Sequence, residues 1–406
     1  MTAHTERAHA KLSPSSAHRW MECPGSVRLS EGIERGSSVF ADEGTAAHEL
    51  AAHCLTLGFD ASRFAGLFID IDAKGPSERF LPTDNGSDRC FEADDEMVES
   101  VQIYLDYARG LVEPGDEIDV EYRFDLQHIS KEMFGTGDCV IYKPKSGDLI
   151  VADFKYGRGV PVEPKQNPQL LLYGLGAVRR HGNRPLRHVT LTIIQPRCAH
   201  PSGSIREWVT DSVDLMEHEW DLHMAAADTE APDAKLIAGE WCKFCPAAAI
   251  CTVNRDKVSE IAGLQFAAEG VDPASMTSEI LAEALDQVEI VESWAKNVRR
   301  YAHDQAMSGN PPPGWKLVEK RAIRKWKSES EAAQWLINKG IPEDEIFEQV
   351  MHSPAQMEKL VPGKNKEARA AALSVVVTKQ SSGAVLVPVS DKRPPISSGG
   401  SEFSAE

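Results

Sequence analysis

The chain lacks any long apolar run. Its first 20 residues are polar and do not contain the apolar core of a secretory signal. No window approaches the roughly 18 to 20 apolar residues that a membrane-spanning helix requires. These absences argue against a membrane partner and predict a soluble, cytoplasmic protein.

Cysteine is also scarce, with eight among 406 residues. This density is too low for a disulfide-stapled scaffold, and in a reducing compartment clustered cysteines more often bind metal. The chain is 42% hydrophobic and 26% charged, which is ordinary for globular proteins and excludes wholly disordered and collagen-like classes. The length favours two compact units with connecting or tail sequence.

Positive charge is in deficit, and the formal net charge is -18. This average argues against a polyanionic partner, but the charge is unevenly distributed. Residues 131–210 hold 12 Lys or Arg against 6 Asp or Glu, and residues 294–327 hold 9 against 2. Two basic islands could therefore meet a phosphate backbone locally.

Apolar periodicity and turn residues predict a chain in which helices alternate with short strands. Strands are predicted over 119–126, 136–143, 148–155 and 189–195, the second and third forming a hairpin through Pro144–Gly147. Helices are predicted over 43–57, 93–111, 168–180, 278–307, 329–339 and 367–376. This order indicates an α/β layer architecture.

Three cysteines form a C-x2-C-x5-C motif in the segment WCKFCPAAAIC, namely Cys242, Cys245 and Cys251. Thiolates from one tight turn and the helical turn after it can converge on a single metal centre. Structural zinc and iron-sulfur clusters both take four ligands, and no second motif lies nearby. The candidate for the fourth ligand is Cys23, which shares with Cys245 a following proline.

Acidic residues and a lysine recur at the predicted hairpin. Asp138 opens one strand in GTGD, and Asp153 and Lys155 end the next in DFK. Alternation places Asp153 and Lys155 on one face, and the hairpin can bring Asp138 alongside. Two close carboxylates repel unless a hard cation such as Mg²⁺ lies between them, while the lysine can stabilise a phosphate. The pattern predicts a phosphodiester-cleavage site.

Two further elements fit this site. His48 lies on the helix that GTAAH opens and could supply an imidazole to the same metal. Gln169 and Tyr173 share one face of the next helix and could hold a DNA strand nearby. Each feature alone is weak, because a lone helical histidine or a strand Asp-x-Lys pair is usually structural.

The order GTAAH, GTGD, DFK, Q-x3-Y and C-x2-C-x5-C, with one distant N-terminal cysteine, resembles the PD-(D/E)XK nucleases of the RecB type. It is most similar to the iron-sulfur branch that includes the AddB nuclease domain and the CRISPR-adaptation exonucleases. The segments LSPSSAHRWMECPGS and PPPGWKLVEKRAIRKW are similar to an uncharacterised RecB-like family of phage and prophage proteins.

This resemblance implies a restriction-endonuclease-like core, in which a central mixed β-sheet is flanked by helices. Residues 1–260 would form the nuclease domain, 261–380 a mainly helical C-terminal region and 381–406 a disordered tail. A [4Fe-4S] cluster would tie the N-terminal segment to the end of the nuclease domain. Its ligands would be Cys23, Cys242, Cys245 and Cys251.

The resemblance also assigns roles at the hairpin. His48, Asp138 and Asp153 would bind Mg²⁺ or Mn²⁺, and Lys155 would be the catalytic lysine. Gln169 and Tyr173 would form the motif of the following helix. The second acidic position is Asp153 rather than Glu, which the family allows.

The expected function is a metal-dependent DNA nuclease, an exonuclease acting on DNA ends or single strands in phage or prophage recombination or DNA processing. The expected location is the cytoplasm of a bacterial host, and a phage recombinase or single-strand-binding protein is a candidate partner. One alternative is a non-hydrolytic DNA-binding accessory protein that keeps the fold and cluster. Another is a zinc-stapled interaction module.

The basic stretch over 294–327 interleaves aromatic residues among its cations, namely Trp294, Tyr301, Trp315 and Trp326. Such a stretch could guide single-stranded DNA by stacking and phosphate contact. The alternative interpretation is a solvated helix face followed by an ordinary basic loop.

Overall fold

A computed structural model describes nine parts of the chain. These parts are residues 10–33, 38–131, 133–158, 160–266, 278–318, 329–339, 341–342, 361–362 and 366–373. The chain divides into two compact units, residues 1–316 and 317–406. Within the described residues, no helix combines the length and the apolar character needed to cross a membrane.

The first unit is built from helices that flank a sheet. Its helices are α1 (Ala17–Glu22), α2 (Gly25–Leu29), α3 (Val39–Leu57), α4 (Pro76–Arg79), α5 (Asp95–Leu111), α6 (Pro168–His181), α7 (Ser212–Glu230), α8 (Thr252–Phe266) and α9 (Ser278–Met307). Short 3-10 turns occur at Pro14–Ser16, Ala61–Phe64 and Glu240–Phe244. The second unit contains α10 (Glu329–Asn338) and α11 (Lys366–Leu373).

The strands form two sheets. A small antiparallel sheet contains β1 (Phe68–Asp70), β2 (Phe80–Leu81) and β3 (Cys90–Glu92). The central sheet contains β4 (Glu117–Asp125), β5 (Phe134–Lys143), β6 (Asp148–Phe154), β7 (His188–Ile194) and β8 (Ile205–Thr210), in that order. Only β6 and β7 are parallel among these neighbours, so the sheet is mixed. Helix α6 makes the crossover between them.

Alternating side chains of the central sheet enter two separate cores. Leu149 and Val151 of β6 pack with α6 and α7, whereas Ile150 and Ala152 pack with α3 and α5. The first unit is therefore layered as helices, sheet, helices. Helix α6 packs very closely on the sheet at Gly176. A Cβ atom at this position would be 2.8 Å from the ring of Phe124 on β4.

Local sequence signals explain where the helices around the site begin and end. Asn167 caps α6 by accepting hydrogen bonds from the N–H groups of Gln169 and Leu170, and Pro168 occupies the first turn. Ser38 caps α3, which ends at Gly58 in the left-handed region. The predicted elements agree with the observed ones to within a few residues, except that α3 begins four residues earlier than expected.

Several elements of the first unit were not predicted, among them β8 at one edge of the central sheet and α7 after it. The helix predicted over 278–307 is observed over that range and belongs to the first unit. The predicted helices of the second unit are observed as α10 and α11. The tail over 381–406 and the part of the basic stretch over 319–327, which includes Trp326, lie outside the described residues.

Candidate metal centre and cysteine cluster

Strand register brings three carboxylates into one row across the central sheet. The pairs Val120↔Cys139 and Tyr122↔Gly137 place Glu121 opposite Asp138. The pairing of β5 with β6 ends at Cys139↔Ala152, so its continuation would place Asp138 opposite Asp153. The carboxylates of Glu121, Asp138 and Asp153 therefore occupy adjacent positions on β4, β5 and β6.

Beyond the last backbone pair of β5 and β6, the side chain of Asp138 takes the place of a backbone acceptor. Its Oδ2 atom accepts a hydrogen bond of 2.7 Å from the backbone N–H of Phe154. Its Oδ1 atom lies 3.2 Å from Nδ1 of His48, a residue of α3. The His48 ring also packs against Phe154, with 5.3 Å between ring centroids. The predicted partnership of His48 and Asp138 is thus present.

Glu121 is a third member of this group, and it was not among the predicted site residues. One potential ligand atom from each of His48, Glu121 and Asp138 lies within 4.8 Å of the others, and no other described group meets this criterion. Glu121 has a backbone φ of 53°, in the left-handed region that a non-glycine residue in a strand rarely adopts. Such local strain often accompanies functional sites.

Asp153 and Lys155 form the second half of the site. The Lys155 Nζ atom lies 2.8 Å from Oδ2 of Asp153 and donates a 2.9 Å hydrogen bond to Oε1 of Gln169. The Nε2 atom of Gln169 donates to Oδ1 of Asp153 at 3.3 Å and to the hydroxyl of Tyr173 at 3.1 Å. All six residues predicted for this site therefore lie together. Gln169 links the acid, the lysine and the tyrosine.

Burial and neighbouring charges shift the pKa values of Asp138 and Asp153 in opposite directions. Burial raises the pKa of Asp153, Asp138 raises it further, and Lys155 only partly opposes this. Burial also disfavours the charge on Asp138, but His48, Lys155 and the Phe154 N–H bring its pKa below the ordinary value. The pKa of His48 is raised by Asp138 despite burial of the ring. Asp138 is therefore the more firmly ionised carboxylate.

The donor atoms suit a divalent cation. Buried Oδ2 of Asp153 accepts no hydrogen bond among the described residues, although the Lys155 ammonium lies beside it. Carboxylate oxygens are ligands for Mg²⁺ and Mn²⁺, and imidazole favours transition metals. His48, Glu121 and Asp138 could bind the ion, with Asp153 on the adjacent strand. The set that is closest together includes Glu121, which differs from the predicted set of His48, Asp138 and Asp153.

Two of the four predicted cluster cysteines, Cys23 and Cys242, contact one segment, residues 235–239. The N–H of Ile237 donates to Sγ of Cys23 at 3.2 Å, and the N–H of Gly239 donates to Sγ of Cys242 at 3.5 Å. Burial raises the pKa of the Cys242 thiol, and proximity to Cys245, Cys23 and Cys251 raises it further. The fold therefore brings the N-terminal cysteine to the C-terminal motif.

The spacing of these sulfurs bears on the group they could hold. A tetrahedral zinc ion with Zn–S bonds of about 2.3 Å would hold its thiolates less than about 4 Å apart. No three of the four sulfurs, all described, lie within 4.8 Å of one another. A four-iron cluster is larger than a single ion and separates its ligands more widely. Among the described residues, the four thiols are therefore not gathered into a closed metal site.

Many cations of the basic island over 131–210 are paired with acids from other segments. Six of its 12 cations contact such acids, namely Lys143, Arg158, Arg179, Arg180, Arg184 and Arg197. Arg197, for example, contacts both Glu43 and Glu96. The positive charge counted along the sequence is therefore partly neutralised in the fold.

A family model described as a protein of unknown function, DUF2800, matches residues 9–394. The match covers almost the whole chain and extends across both compact units. The chain therefore belongs to the DUF2800 family.

Proposed function

We propose that the chain is a Mg²⁺- or Mn²⁺-dependent deoxyribonuclease of the RecB-like PD-(D/E)XK type, with a restriction-endonuclease-like core. It would act as an exonuclease on DNA ends or single strands in phage or prophage recombination or DNA processing. The observation that carries this proposal is the meeting of Asp138, Asp153 and Lys155 where β6 ends in a mixed sheet, with His48 beside Asp138. A purely structural site has no need of this combination.

The residues of the chain divide the work of hydrolysis. A bound divalent cation would polarise the scissile phosphate and lower the pKa of water. His48, Glu121 and Asp138 would hold the ion, and the Phe154 N–H fixes the orientation of Asp138. Lys155 would hold its ammonium charge where negative charge develops on the phosphate.

Gln169 and Tyr173 would act through Lys155 and Asp153. Gln169 contacts both Lys155 and Asp153, so it limits the positions of the ammonium and carboxylate groups. Tyr173 accepts a hydrogen bond from Gln169 and is buried, with 5% exposure, so its hydroxyl anchors the amide rather than meeting solvent. Both residues are positioning residues in this mechanism.

The cysteine set would bind a [4Fe-4S] cluster with a structural role. Support comes from the proximity of Cys242 to Cys23, Cys245 and Cys251, and from the two backbone N–H···S hydrogen bonds to Cys23 and Cys242. The cluster would join α1 to the segment before α8. Its loss would loosen the ends of the nuclease unit rather than change the chemistry directly.

The test is a cleavage assay on labelled single-stranded and duplex DNA with Mg²⁺ or Mn²⁺. We expect wild-type protein to degrade DNA and Asp153→Ala to lose this activity. Asp88→Ala, which changes an exposed aspartate of a distant loop, is the matched control and should remain active. Equal degradation by wild type and Asp153→Ala would indicate a contaminant and contradict the proposal. A wild type that binds DNA without cleaving it would instead support the accessory-protein alternative.

A further inference from the structure

A cavity with aromatic walls lies beside the cysteine cluster, outside the proposed metal centre. It has a volume of about 510 Å³. Its walls include Trp241, Phe244 and Trp294, with His18, Lys243 and Val160 at other points of the lining. The wall residues come from the Cys242 turn, from α9 and from the loop after β6, all within the first compact unit. The proposed cleavage chemistry uses none of them.

The Trp241 ring is held rigidly in this wall. Its indole N–H donates a 2.8 Å hydrogen bond to the carbonyl of Ile237. The ring lies so close to Gly239 that a Cβ atom there would be 2.4 Å from it. The edge of the ring meets His18, with 6.0 Å between centroids. A flat aromatic surface is therefore fixed in place before any ligand arrives, which lowers the entropic cost of stacking on it.

Trp294 indicates which ligand chemistry the cavity suits. Its indole N–H is buried and has no hydrogen-bond partner among the described residues. A buried unpartnered donor is costly and is satisfied by a ligand that brings an acceptor. An ammonium or guanidinium ligand carries no acceptor for this donor. A nucleobase offers ring nitrogens or carbonyl oxygens together with an aromatic face.

The cavity also lies within reach of the metal centre. Val160 lines it and is five residues beyond Lys155 along the chain. A fully extended chain covers at most about 3.6 Å per residue, so the two Cα atoms are no more than about 18 Å apart. A single strand of a few nucleotides could span this distance. The exposed side chains of Glu240 and Glu289 could accept hydrogen bonds from base N–H groups.

We propose that this cavity binds one unpaired nucleobase of a DNA single strand, stacked against Trp241 and Trp294, while the metal centre engages the backbone a few nucleotides away. The inference rests on the proposed nuclease function and adds a subsite for the strand. It predicts a preference for single-stranded over blunt duplex DNA, because a paired base cannot enter the cavity.

The test measures binding of a fluorescent 12-nucleotide oligothymidylate to the full-length protein by anisotropy, with EDTA present to prevent cleavage. We expect Trp294→Ala to weaken binding by about 5- to 150-fold, the range for loss of one stacking side chain. Phe244→Ala changes an exposed ring at the same cavity and should also weaken binding without endangering the fold. Trp220→Ala is the control, since it removes an exposed tryptophan of α7.

A set of oligonucleotides, each with one abasic position, separates stacking from phosphate contact. Wild type should lose affinity when the abasic position coincides with the cavity, whereas Trp294→Ala should show no further loss there. Tight binding that is unchanged by Trp294→Ala and Phe244→Ala would overturn the subsite while leaving the nuclease proposal intact. Failure of wild type to bind the oligonucleotide would also overturn it. Loss of cleavage in Asp153→Ala with cavity binding retained would support both proposals.

Discussion

The carboxylate of Asp138 on β5 accepts a hydrogen bond of 2.7 Å from the backbone N–H of Phe154 on β6. This contact lies where the backbone pairing of the two strands ends. This contact satisfies a buried donor and fixes Oδ2, so Oδ1 is directed toward His48. Asp138 therefore joins the C-terminal end of β6 to helix α3. A substitution of Asp138 would affect the end of β6 as well as any bound ion.

The first prediction concerns the lysine. Lys155→Met should reduce the rate of DNA cleavage by about 100- to 1000-fold, because the ammonium group beside Asp153 is removed. DNA binding in EDTA should change little. Lys165→Met, in the loop before α6, removes an exposed lysine and serves as the control. Single-turnover cleavage rates test this, and equal losses in both variants would contradict a specific role for Lys155.

The second prediction separates the ligand role of Glu121 from its backbone strain. Both Glu121→Gln and Glu121→Asn should weaken Mn²⁺ binding and cleavage, since each removes a carboxylate from the metal group. Asparagine tolerates the left-handed region better than glutamine. In EDTA we therefore expect Glu121→Asn to have a free energy of unfolding about 1 kcal/mol above that of Glu121→Gln. Urea unfolding measures it, and equal stabilities would argue against strain at this position.

The third prediction concerns the cysteine set. Anaerobically purified wild type should contain iron and sulfide and absorb broadly in the visible range, whereas Cys23→Ser should lose both properties and unfold at a lower temperature. Cys90→Ser changes a half-buried cysteine of β3 outside the set and should keep the colour. A colourless wild type that contains zinc would support the zinc-stapled alternative instead.

The fourth prediction is a pH dependence of stability at His181, away from the site. Burial lowers the pKa of His181, as do Arg184 and Arg180, and neither ring nitrogen has a hydrogen-bond partner among the described residues. The folded chain therefore binds this proton less readily than the unfolded chain. The stability is fully present above the unfolded pKa of about 6.5 and is lost as the pH falls through the lower folded value.

His181→Phe should remove this part of the pH dependence while keeping the ring that stacks on Tyr142. His188→Gln, an exposed histidine at the start of β7, is the control. Urea unfolding between pH 7.5 and pH 5 provides the comparison. An unchanged slope in His181→Phe would show that other groups cause the acid sensitivity.

The grouping of Asp138, Asp153 and Lys155 could be predicted because a hairpin with a short turn constrains register. Four residues separate the ends of β5 and β6, so the side chains that meet across it follow from counting. Helix α6 could also be predicted from the sequence, since Asn167 and Pro168 mark its start and the apolar periodicity marks its extent. These features depend on local sequence.

Glu121 could not be found in the same way. Its segment, DVEYRFD, alternates like any half-buried strand, and eight residues separate β4 from β5. That longer connection leaves the register undetermined, so the position opposite Asp138 cannot be counted from sequence. The left-handed φ of Glu121 could not be predicted from the sequence either, because glutamate is not a residue that favours this conformation.

The neutralisation of the basic island could not be predicted for the same reason, since the acidic partners of Arg158 and Arg197 come from segments distant in sequence.

The hydrogen bonds between the Cys23 region and residues 235–237 also set an order of events during biosynthesis. Gly25 donates to the carbonyl of Lys235 at 2.8 Å, and Ile237 donates to Cys23 across a sequence separation of 214 residues. At translation speeds of about 5 to 20 residues per second, α1 and α2 must wait roughly 10 to 40 s for these partners to be synthesised. Residues 23–25 thus reach their hydrogen-bond partners only after more than 200 further residues have been synthesised.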